Sequence, residues 1–391
     1  MEHRTKKPEL VAPGGNFEKL KLAYDNGADA VYVGGPVFGL RKYSDNFSLT
    51  ELKHAIHYAN SINKKMYIVL NGFARNSDLE KLKGHLDELD VLQPHAFIIS
   101  DLGVLNLTKE HTSVPIHLST QASVTNQYTV NFWKEHGVKR LVLARECSLN
   151  DCSMIRKKTG VEIETFIHGA MCASYSGKCV ISNYTSGRDS NRGGCIQTCR
   201  HKFDVIKDDE TLFSSHIMNA KDLNGADLVP EFLRSGIDAL KIEGRMKSNF
   251  YVANTLRVYR KLIDSYDFST GMKDELNGPS NRNFETGGLS ERPAGDSISY
   301  DFNGYLKTNR YVGLVKEVIK DQGIWIQVKT EIKKGESLTF LNKNRRIEFT
   351  LDSFSSISGQ PLEKTKPDSF IKIPFSSDVS VNDVVVSSIS K

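Results

Sequence analysis

The residues best suited to chemistry are four cysteines in the middle of the chain, Cys172, Cys179, Cys195 and Cys199. Six residues separate the first pair, fifteen lie between the pairs, and three separate the second pair. Residues 185–194 are rich in Gly, Ser, Asn and Arg, so this stretch can fold back and bring both pairs to one point. Four converging thiolates suit either a zinc ion or an iron–sulfur cluster.

The wide, irregular spacing favours an iron–sulfur cluster, because structural zinc usually uses tight Cys-x-x-Cys knuckles and the chain has none. Zinc stays open as an alternative, as do four buried structural thiols. A disulfide scaffold does not fit, because such scaffolds are small and secreted. Cys147 and Cys152 lie outside this spacing, on a predicted turn and helix start, and are predicted to be free structural cysteines.

The bulk composition is that of a soluble globular protein. The chain has 391 residues, enough for two domains, of which 39% are hydrophobic and 25% charged. Its N-terminus lacks the apolar core of a signal peptide, and no apolar stretch is long enough for a membrane-spanning helix. We therefore expect a cytoplasmic protein. The net charge of +5 supports nucleic-acid binding only weakly.

Short apolar runs alternate with amphipathic, helix-like stretches through the first part of the chain. This alternation predicts parallel β/α units in a sheet covered on both faces. Eight runs indicate a closed (β/α)₈ TIM-like barrel, with a doubly wound open sheet as the alternative. The runs are residues 10–12, 30–33, 66–70, 96–99, 116–118, 140–143, 163–166 and 239–242. The helical windows include residues 16–27, 49–61, 78–89 and 129–137.

Charged and titratable residues follow several of these runs, where a barrel carries its catalytic groups. The candidates for catalysis or substrate contact are Arg145, His168, Lys241, Glu243 and Arg245. Guanidinium groups suit phosphates and carboxylates, and a histidine can serve as an acid or a base. A hydrogen-bonded structural histidine is the plain alternative for His168, and an internal ion pair is the plain alternative for Glu243.

Basic residues also flank the cysteines. They are Arg188, Arg192, Arg200 and His201. Gathered on one rim, they would form an electrostatic footprint for RNA or for an anionic metabolite. Ordinary solvated surface charges are the alternative interpretation.

The pattern changes near residue 300. Short mixed runs at residues 311–318, 323–329, 337–341 and 346–351, with an apolar run at 384–386, predict an all-β module, taken to be a small barrel. Residues 266–300 carry Gly, Pro, Asn and Ser and are predicted to be a linker. The predicted domains are a β/α barrel over residues 1–265, which includes the cysteine segment 172–199, and a β-barrel domain over residues 301–391.

Several hydrolase signatures are missing from the sequence. It contains no His-Glu-x-x-His, no Gly-x-Ser-x-Gly and no P-loop. A protease would need a nucleophile–base pair or a metal with an open position, and neither is visible. A non-catalytic RNA-binding scaffold with structural zinc is a further alternative.

Residues 164–182, which contain the first cysteine pair, resemble a signature of the collagenase-like peptidase family, which includes bacterial RNA hydroxylases. Residues 8–16 resemble the opening strand of this family, and residues 188–200 resemble its second cysteine pair. Residues 241–247, followed by Tyr251, Tyr259 and Arg260, resemble its last barrel segment. The C-terminal β module also resembles the small barrel appended in the family.

The resemblance implies a [4Fe-4S] cluster on the four cysteines and oxygen-independent hydroxylation of a pyrimidine in RNA, with prephenate as the hydroxyl donor. The length and the β module indicate the branch that forms 5-hydroxyuridine at the wobble position of tRNA. Other branches hydroxylate a cytidine in 23S rRNA or serve ubiquinone hydroxylation, and family members have also been called peptidases or collagenases. The implied partners are the tRNA anticodon arm and the iron–sulfur assembly machinery, with neither membrane nor DNA.

Overall fold

The strands of the first predicted domain form a closed barrel. The computed structural model of the protein describes residues 7–40, 45–265, 270–319, 322–375 and 378–389. Its first twelve strands in chain order are β1 (Glu9–Gly14), β2 (Ala30–Gly34), β3 (Lys65–Leu70), β4 (Ala96–Ile99), β5 (Ile116–Leu118), β6 (Arg140–Val142), β7 (Glu162–Ala170), β8 (Phe203–Lys207), β9 (Glu210–Ser215), β10 (Asp222–Asn224), β11 (Ala239–Ile242) and β12 (Phe284–Glu285).

Eight of these strands, β1–β7 and β11, run parallel in the order β11-β1-β2-β3-β4-β5-β6-β7, and β7 pairs again with β11. This second pairing closes the sheet, so the predicted (β/α)₈ barrel is confirmed and the open-sheet alternative is wrong. All eight predicted apolar runs coincide with these strands. They were recognisable because strands that are covered on both faces are almost continuously apolar.

Helices follow the strands, as the β/α pattern predicted. Those of the described residues are α1 (Phe17–Asp25), α2 (Leu49–Ser61), α3 (Asn76–Leu92), α4 (Leu102–His111), α5 (Gln127–Glu135), α6 (Leu149–Thr159), α7 (Ile181–Ser186), α8 (Val229–Ser235), α9 (Asn249–Ser265) and α10 (Thr270–Asp274). Capping boxes begin α2 and α6, where Ser48 and Ser148 exchange hydrogen bonds with Glu51 and Asp151. Within the described ranges, no helix combines the length and apolar character needed to cross a bilayer.

The chain divides into two compact units. The first unit comprises Met1–Leu20, Ala28–Met246 and Arg282–Gly304, and the second comprises Lys21–Gly27, Lys247–Asn281 and Tyr305–Lys391. Residues 282–300 of the predicted linker, together with residues 301–304, therefore group with the barrel strands. Residues 266–269 of that linker lie outside the described residues, and the limits at residues 265 and 301 stay predictions.

The interior of the barrel contains a buried network of charges. Glu9 accepts hydrogen bonds from Tyr67 Oη at 2.5 Å and from Arg140 Nη1 at 2.7 Å. Arg140 also lies 3.4 Å from Glu164, which accepts a 2.7 Å bond from Lys241 Nζ. Burial raises the pKa of Glu9, but Arg140 and the hydrogen bonds outweigh it and lower the pKa to about 2. Each buried charge therefore has a partner, and the network reaches from the base of the barrel to Lys241.

Strand β7 continues beyond the barrel and leads into the cysteine segment. Its last residues, His168, Gly169 and Ala170, pair antiparallel with β10, which pairs in turn with β12. These added strands hold the backbone in place up to Met171, the residue before the first cysteine. The cysteine segment therefore starts from a fixed point at the carboxyl end of the barrel.

The second unit contains an antiparallel sheet, which confirms the predicted all-β module. Its strands are β13 (Asn309–Ile319), β14 (Gly323–Val328), β15 (Ser337–Leu341), β16 (Arg346–Thr350), β17 (Ser355–Ser356), β18 (Phe370–Ile373) and β19 (Val384–Ser388), in the order β16-β15-β19-β13-β14-β18-β17. Phe375, just after β18, packs against Phe349 in β16 with ring centroids 4.9 Å apart. Because β16 and β18 lie near opposite edges of the sheet, this contact shows that the sheet curls strongly. The apolar residues of both strands share one core.

Candidate active site

A cavity of about 570 Å³ lies at the carboxyl ends of the barrel strands, within the first unit. One wall consists of strand-end residues, and the other consists of the cysteine segment. The strand-end residues include Tyr32, Val69, Asn71, Ser119, Gln121, Arg145, Phe166, Lys241, Glu243 and Arg245. Barrels carry their catalytic groups at this end, and the volume falls in the range of small-molecule sites.

All four cysteines of the predicted metal site line this cavity. Cys172 is exposed, whereas Cys179, Cys195 and Cys199 are half-buried. Burial raises the pKa of the Cys199 thiol, and the neighbouring Cys172 and Cys195 raise it further. The four thiols therefore line one cavity, and their role as ligands of one metal site stays a prediction.

The described residues hold no group of three Cys, His, Asp or Glu side chains arranged to bind one metal ion. A single tetrahedral zinc ion bonds each sulfur at about 2.3 Å, so its ligands must crowd around one point. In a cluster, each thiolate bonds a different iron, so the sulfurs stand further apart. Four thiols that line one cavity are a donor set that suits either group, so both interpretations stay open here.

Close packing holds the loop that carries Cys172 and Cys179. Gly177 adopts a φ of +73°, and a Cβ there would overlap the backbone carbonyl oxygen of Gln121, so only glycine fits. Ser176 Oγ accepts a 3.1 Å hydrogen bond from the backbone N–H of Arg145. The backbone N–H of Ser176 donates to Glu146 Oε1 at 3.0 Å. The loop is thus fixed to the turns that follow β5 and β6.

Short helical turns and their side chains hold the second cysteine pair. Asn191 Nδ2 donates to the carbonyl oxygen of Cys179 at 3.0 Å, which ties the two cysteine pairs together. The hydroxyls of Thr185 and Thr198 lie 3.1 Å apart and join α7 to the Cys195–Cys199 turn. The Gly-, Ser- and Asn-rich composition of residues 185–194 is therefore explained by tight turns and hydrogen bonds from short polar side chains.

Arg282 supports the first cysteine from a position that the sequence analysis did not select. It forms a buried ion pair with Asp222 at 2.7 Å, and Arg282 Nη2 donates to the carbonyl oxygen of Met171 at 3.3 Å. Both side chains are at most 2% exposed. Residue 282 lies in the predicted linker, and nothing in the local sequence connects it with a partner sixty positions away.

Four of the five charged candidates lie on the cavity. Arg145 stacks on Phe166 with its guanidinium carbon 4.1 Å from the ring centroid, and its Nη1 lies 4.0 Å from Cys172 Sγ. Lys241 Nζ lies 4.3 Å from the centroid of the Tyr32 ring. The hydroxyl of Tyr32 donates to Glu243 at 3.4 Å. The fourth candidate is Arg245, whose Nη2 donates to Asn46 Oδ1 at 2.6 Å.

His168 does not line the cavity. It is 1% exposed on β7, and its ring packs against Phe284 with centroids 5.3 Å apart. The structure therefore brings Arg145, Lys241, Glu243 and Arg245 together on the cavity, whereas His168 is buried away from it. Cys147 and Cys152 are free and buried, as predicted, and they also lie off the cavity.

The fold and the site together define a β/α-barrel protein with a cysteine-lined cavity at its catalytic end. A family model described as Peptidase family U32 matches residues 15–299, and one described as its C-terminal domain matches residues 307–385. The chain belongs to peptidase family U32, and the membership inferred from the cysteine motifs is confirmed.

Relatives of known name extend this comparison. The chain is 38% identical over 380 residues to "tRNA hydroxylation protein P1" of Bacillus subtilis, with 93% of this chain and 90% of the relative covered. It is 44% identical over 304 residues to "tRNA hydroxylation protein P" of Helicobacter pylori, covering 73% and 72%. It is 30% identical over 353 residues to "23S rRNA 5-hydroxycytidine C2501 synthase" of Escherichia coli, covering 87% of this chain and 53% of the relative.

Proposed function

We propose that this protein is an iron–sulfur-dependent enzyme that hydroxylates tRNA without oxygen and forms 5-hydroxyuridine at the wobble position. The observation that carries the proposal is the set of four cysteines on one wall of the barrel cavity. The names of two relatives that match most of the chain support tRNA as the substrate. Such an enzyme would work in the cytoplasm.

In this proposal Cys172, Cys179, Cys195 and Cys199 hold a [4Fe-4S] cluster. The cluster supplies redox chemistry when it is bound. Support comes from the donor set itself, because all four thiols line the same cavity. A cluster at this position must be inserted, so we expect the iron–sulfur assembly machinery to be a partner.

The cavity has room and charge for an RNA base and a small carboxylate donor, which we take to be prephenate. A base must leave its stack to be modified, and a pocket at the mouth of the barrel can receive it. Arg145 and Arg245 line the cavity with guanidinium groups, which suit the two carboxylates of prephenate. Lys241 is already engaged by Glu164, so its main contribution is positive charge at the cavity floor.

Two alternatives remain. The family description favours a peptidase, yet the residues that line the cavity include no histidine and only one carboxylate, Glu243. A protease needs a base beside its nucleophile or a metal with an open position, so this wall offers little for peptide hydrolysis. The rRNA relative favours hydroxylation of a cytidine in 23S rRNA, which uses the same chemistry on another pyrimidine.

The test compares the Cys195→Ala variant with a Cys147→Ala control, because Cys147 is a buried cysteine away from the cavity. We expect Cys195→Ala to lose iron, acid-labile sulfide and tRNA modification together, whereas Cys147→Ala retains all three. The measurements are iron and sulfide on anaerobically purified protein, and nucleoside mass spectrometry of tRNA and rRNA from a complemented deletion strain. Modification that persists without iron would contradict the mechanism. Loss of hydroxycytidine from rRNA, with tRNA unchanged, would favour the rRNA alternative.

A further inference from the structure

Two tyrosines at the rim of the cavity are exposed in a way that packing does not explain. Tyr184 is 88% exposed and Tyr175 is 66% exposed, yet both belong to the residues that line the cavity. Within the described residues, the structure shows no hydrogen bond from either hydroxyl and no contact of either ring with another aromatic ring. Large exposed aromatic side chains at the mouth of a cavity are typical of ligand contacts rather than of a folding core.

The backbone beneath Tyr175 is held on both sides, so the position of the ring is restricted. The next residue, Ser176, is bonded to Arg145 and Glu146, as described above, and its carbonyl oxygen accepts a hydrogen bond from Ser123 Oγ. The N–H of Lys178 donates to the carbonyl oxygen of Tyr175 at 3.1 Å and closes a tight turn. The ring therefore projects from a fixed loop and needs little ordering when a ligand arrives.

Tyr184 projects from a second fixed element, helix α7. The hydroxyl of Ser182 accepts a hydrogen bond from the N–H of Ile196 at 3.3 Å, and Asn183 Oδ1 accepts one from the N–H of Ser190 at 3.1 Å. Gly187 ends the helix in the left-handed conformation. These bonds tie α7 to the segment that carries the second cysteine pair. The two tyrosines and the four cysteines therefore belong to one supported segment, residues 171–202, which we call the rim.

The charge of this rim matches an anionic polymer. Residues 171–202 contain five Lys or Arg and one Asp, a net charge of +4 within a chain whose total is +5. The basic members are Lys178, Arg188, Arg200 and Lys202, together with Arg192, which is paired with Asp78 at 2.6 Å. One stretch of thirty-two residues thus carries most of the net charge of the protein. Proteins that hold single-stranded nucleic acid combine such a charged surface with aromatic rings on which bases stack.

We infer that Tyr175 and Tyr184 are stacking platforms for unpaired RNA bases that flank the target nucleotide, an assignment that rests on the proposed RNA substrate. When the target base enters the cavity, the adjacent bases lose their stacking partner, and an exposed ring at the rim replaces it. Basic groups of the rim neutralise the phosphates between them. The rings would therefore recognise single-stranded RNA and contribute little to a fully paired duplex.

The experiment measures binding of a fluorescein-labelled RNA stem–loop that carries the anticodon-loop sequence, by anisotropy at fixed salt. The protein is anaerobically purified full chain, as wild type and as Tyr175→Ala, Tyr184→Ala, Tyr175→Phe and Tyr184→Phe variants. Tyr128→Ala is the matched control, because Tyr128 is 77% exposed on α5 and does not line the cavity. Iron content and thermal stability are recorded for every variant, and a paired RNA duplex of equal length is the second probe.

Each Tyr→Ala change should weaken stem–loop binding by about tenfold, within the range of base–aromatic stacking, while Tyr→Phe stays within about twofold of wild type. The dependence of the affinity on salt should be unchanged, because no phosphate contact is lost. Tyr128→Ala should bind like wild type. Wild-type binding of the stem–loop with no loss in the Tyr→Ala variants would overturn the stacking assignment alone. A wild-type protein that binds no RNA and leaves tRNA unmodified would overturn the proposed function.

Discussion

The buried ion pair between Asp222 and Arg282 gives the sharpest prediction about stability. Arg282 donates to Asp222 from its backbone N–H, from Nε at 3.0 Å and from Nη2 at 2.7 Å. The same guanidinium also donates to Asn219 and to the carbonyl oxygen of Met171. Asp222→Asn removes the negative charge with almost no change in volume and leaves the guanidinium buried without its counter-charge.

The expected cost is that of an uncompensated buried charge, about 3–5 kcal/mol. With a urea m-value of about 3 kcal/mol/M, the unfolding midpoint should fall by roughly 1–1.7 M. The control is Glu80→Ala, which breaks the exposed pair of Glu80 with Lys83. Exposed pairs at this spacing contribute about 0.5 kcal/mol or less, so the control midpoint should move by about 0.2 M at most.

The assay is urea unfolding followed by tryptophan fluorescence. The chain has two tryptophans, Trp133 on α5 in the first unit and Trp325 on β14 in the second. A Trp325→Phe background leaves Trp133, which is 7% exposed, as the sole reporter of the barrel unit. All midpoints are measured in that background, so that the unfolding of the second unit does not contribute.

A double-mutant cycle with Arg282→Met separates the pair from its surroundings. We expect the double variant to lose less stability than the sum of the losses of the two single variants, because it contains neither unpaired charge. The difference, which is the coupling energy, should be about 2 kcal/mol or more. An Asp222→Asn midpoint that moves no further than the Glu80→Ala control would refute the reasoning. In that case the pair would not anchor the cysteine segment energetically.

Two further predictions concern a glycine and a carboxylate. Gly177→Ala should destabilise the protein by about 2 kcal/mol or more in a thermal melt, because its φ is positive and an added Cβ would overlap Gln121. The control is Gly160→Ala, which has a φ of +68° but open space around the new Cβ and should cost only about 1 kcal/mol. Equal losses in the two variants would contradict the packing argument. Arg140 helps to lower the pKa of Glu9 from 4.5 to about 2. The ionised carboxyl therefore adds roughly 3 kcal/mol to the free energy of unfolding above pH 4.5, and this contribution is lost as the pH falls towards 2. The Glu9→Gln variant should be less stable than wild type at pH 7 and approach it near pH 2 in urea titrations; a constant difference would contradict this assignment.

The metal-site candidates were visible in the sequence because cysteine is scarce elsewhere and its chemistry is specific. Four thiols in one glycine-rich segment can meet whatever the surrounding fold is, so Cys172 and Cys199 were identified from residue type and spacing alone. The eight barrel strands were visible for a similar reason, because a strand buried on both faces must be apolar along its length. Arg145 and Lys241 followed from the rule that barrels place function at the carboxyl ends of strands.

Other features depended on contacts between residues that are distant in the chain. His168 follows the same rule as Arg145, yet the antiparallel pairing of β7 with β10 turns this part of the strand into a buried wall. Arg282 looked like part of a linker until the fold placed it against Asp222. Nothing in the sequence around Tyr184 marks this residue, and only its 88% exposure at the cavity rim distinguishes it.

Residue identity and local periodicity were sufficient to predict the types of chemical group, the strand and helix segments and the family. The tertiary structure decided which groups share the cavity, which charges are buried in pairs and which aromatic rings remain exposed. The physical reason is that burial and pairing arise between segments sixty or more positions apart, as for Asp222 and Arg282. Local sequence carries no record of such partners.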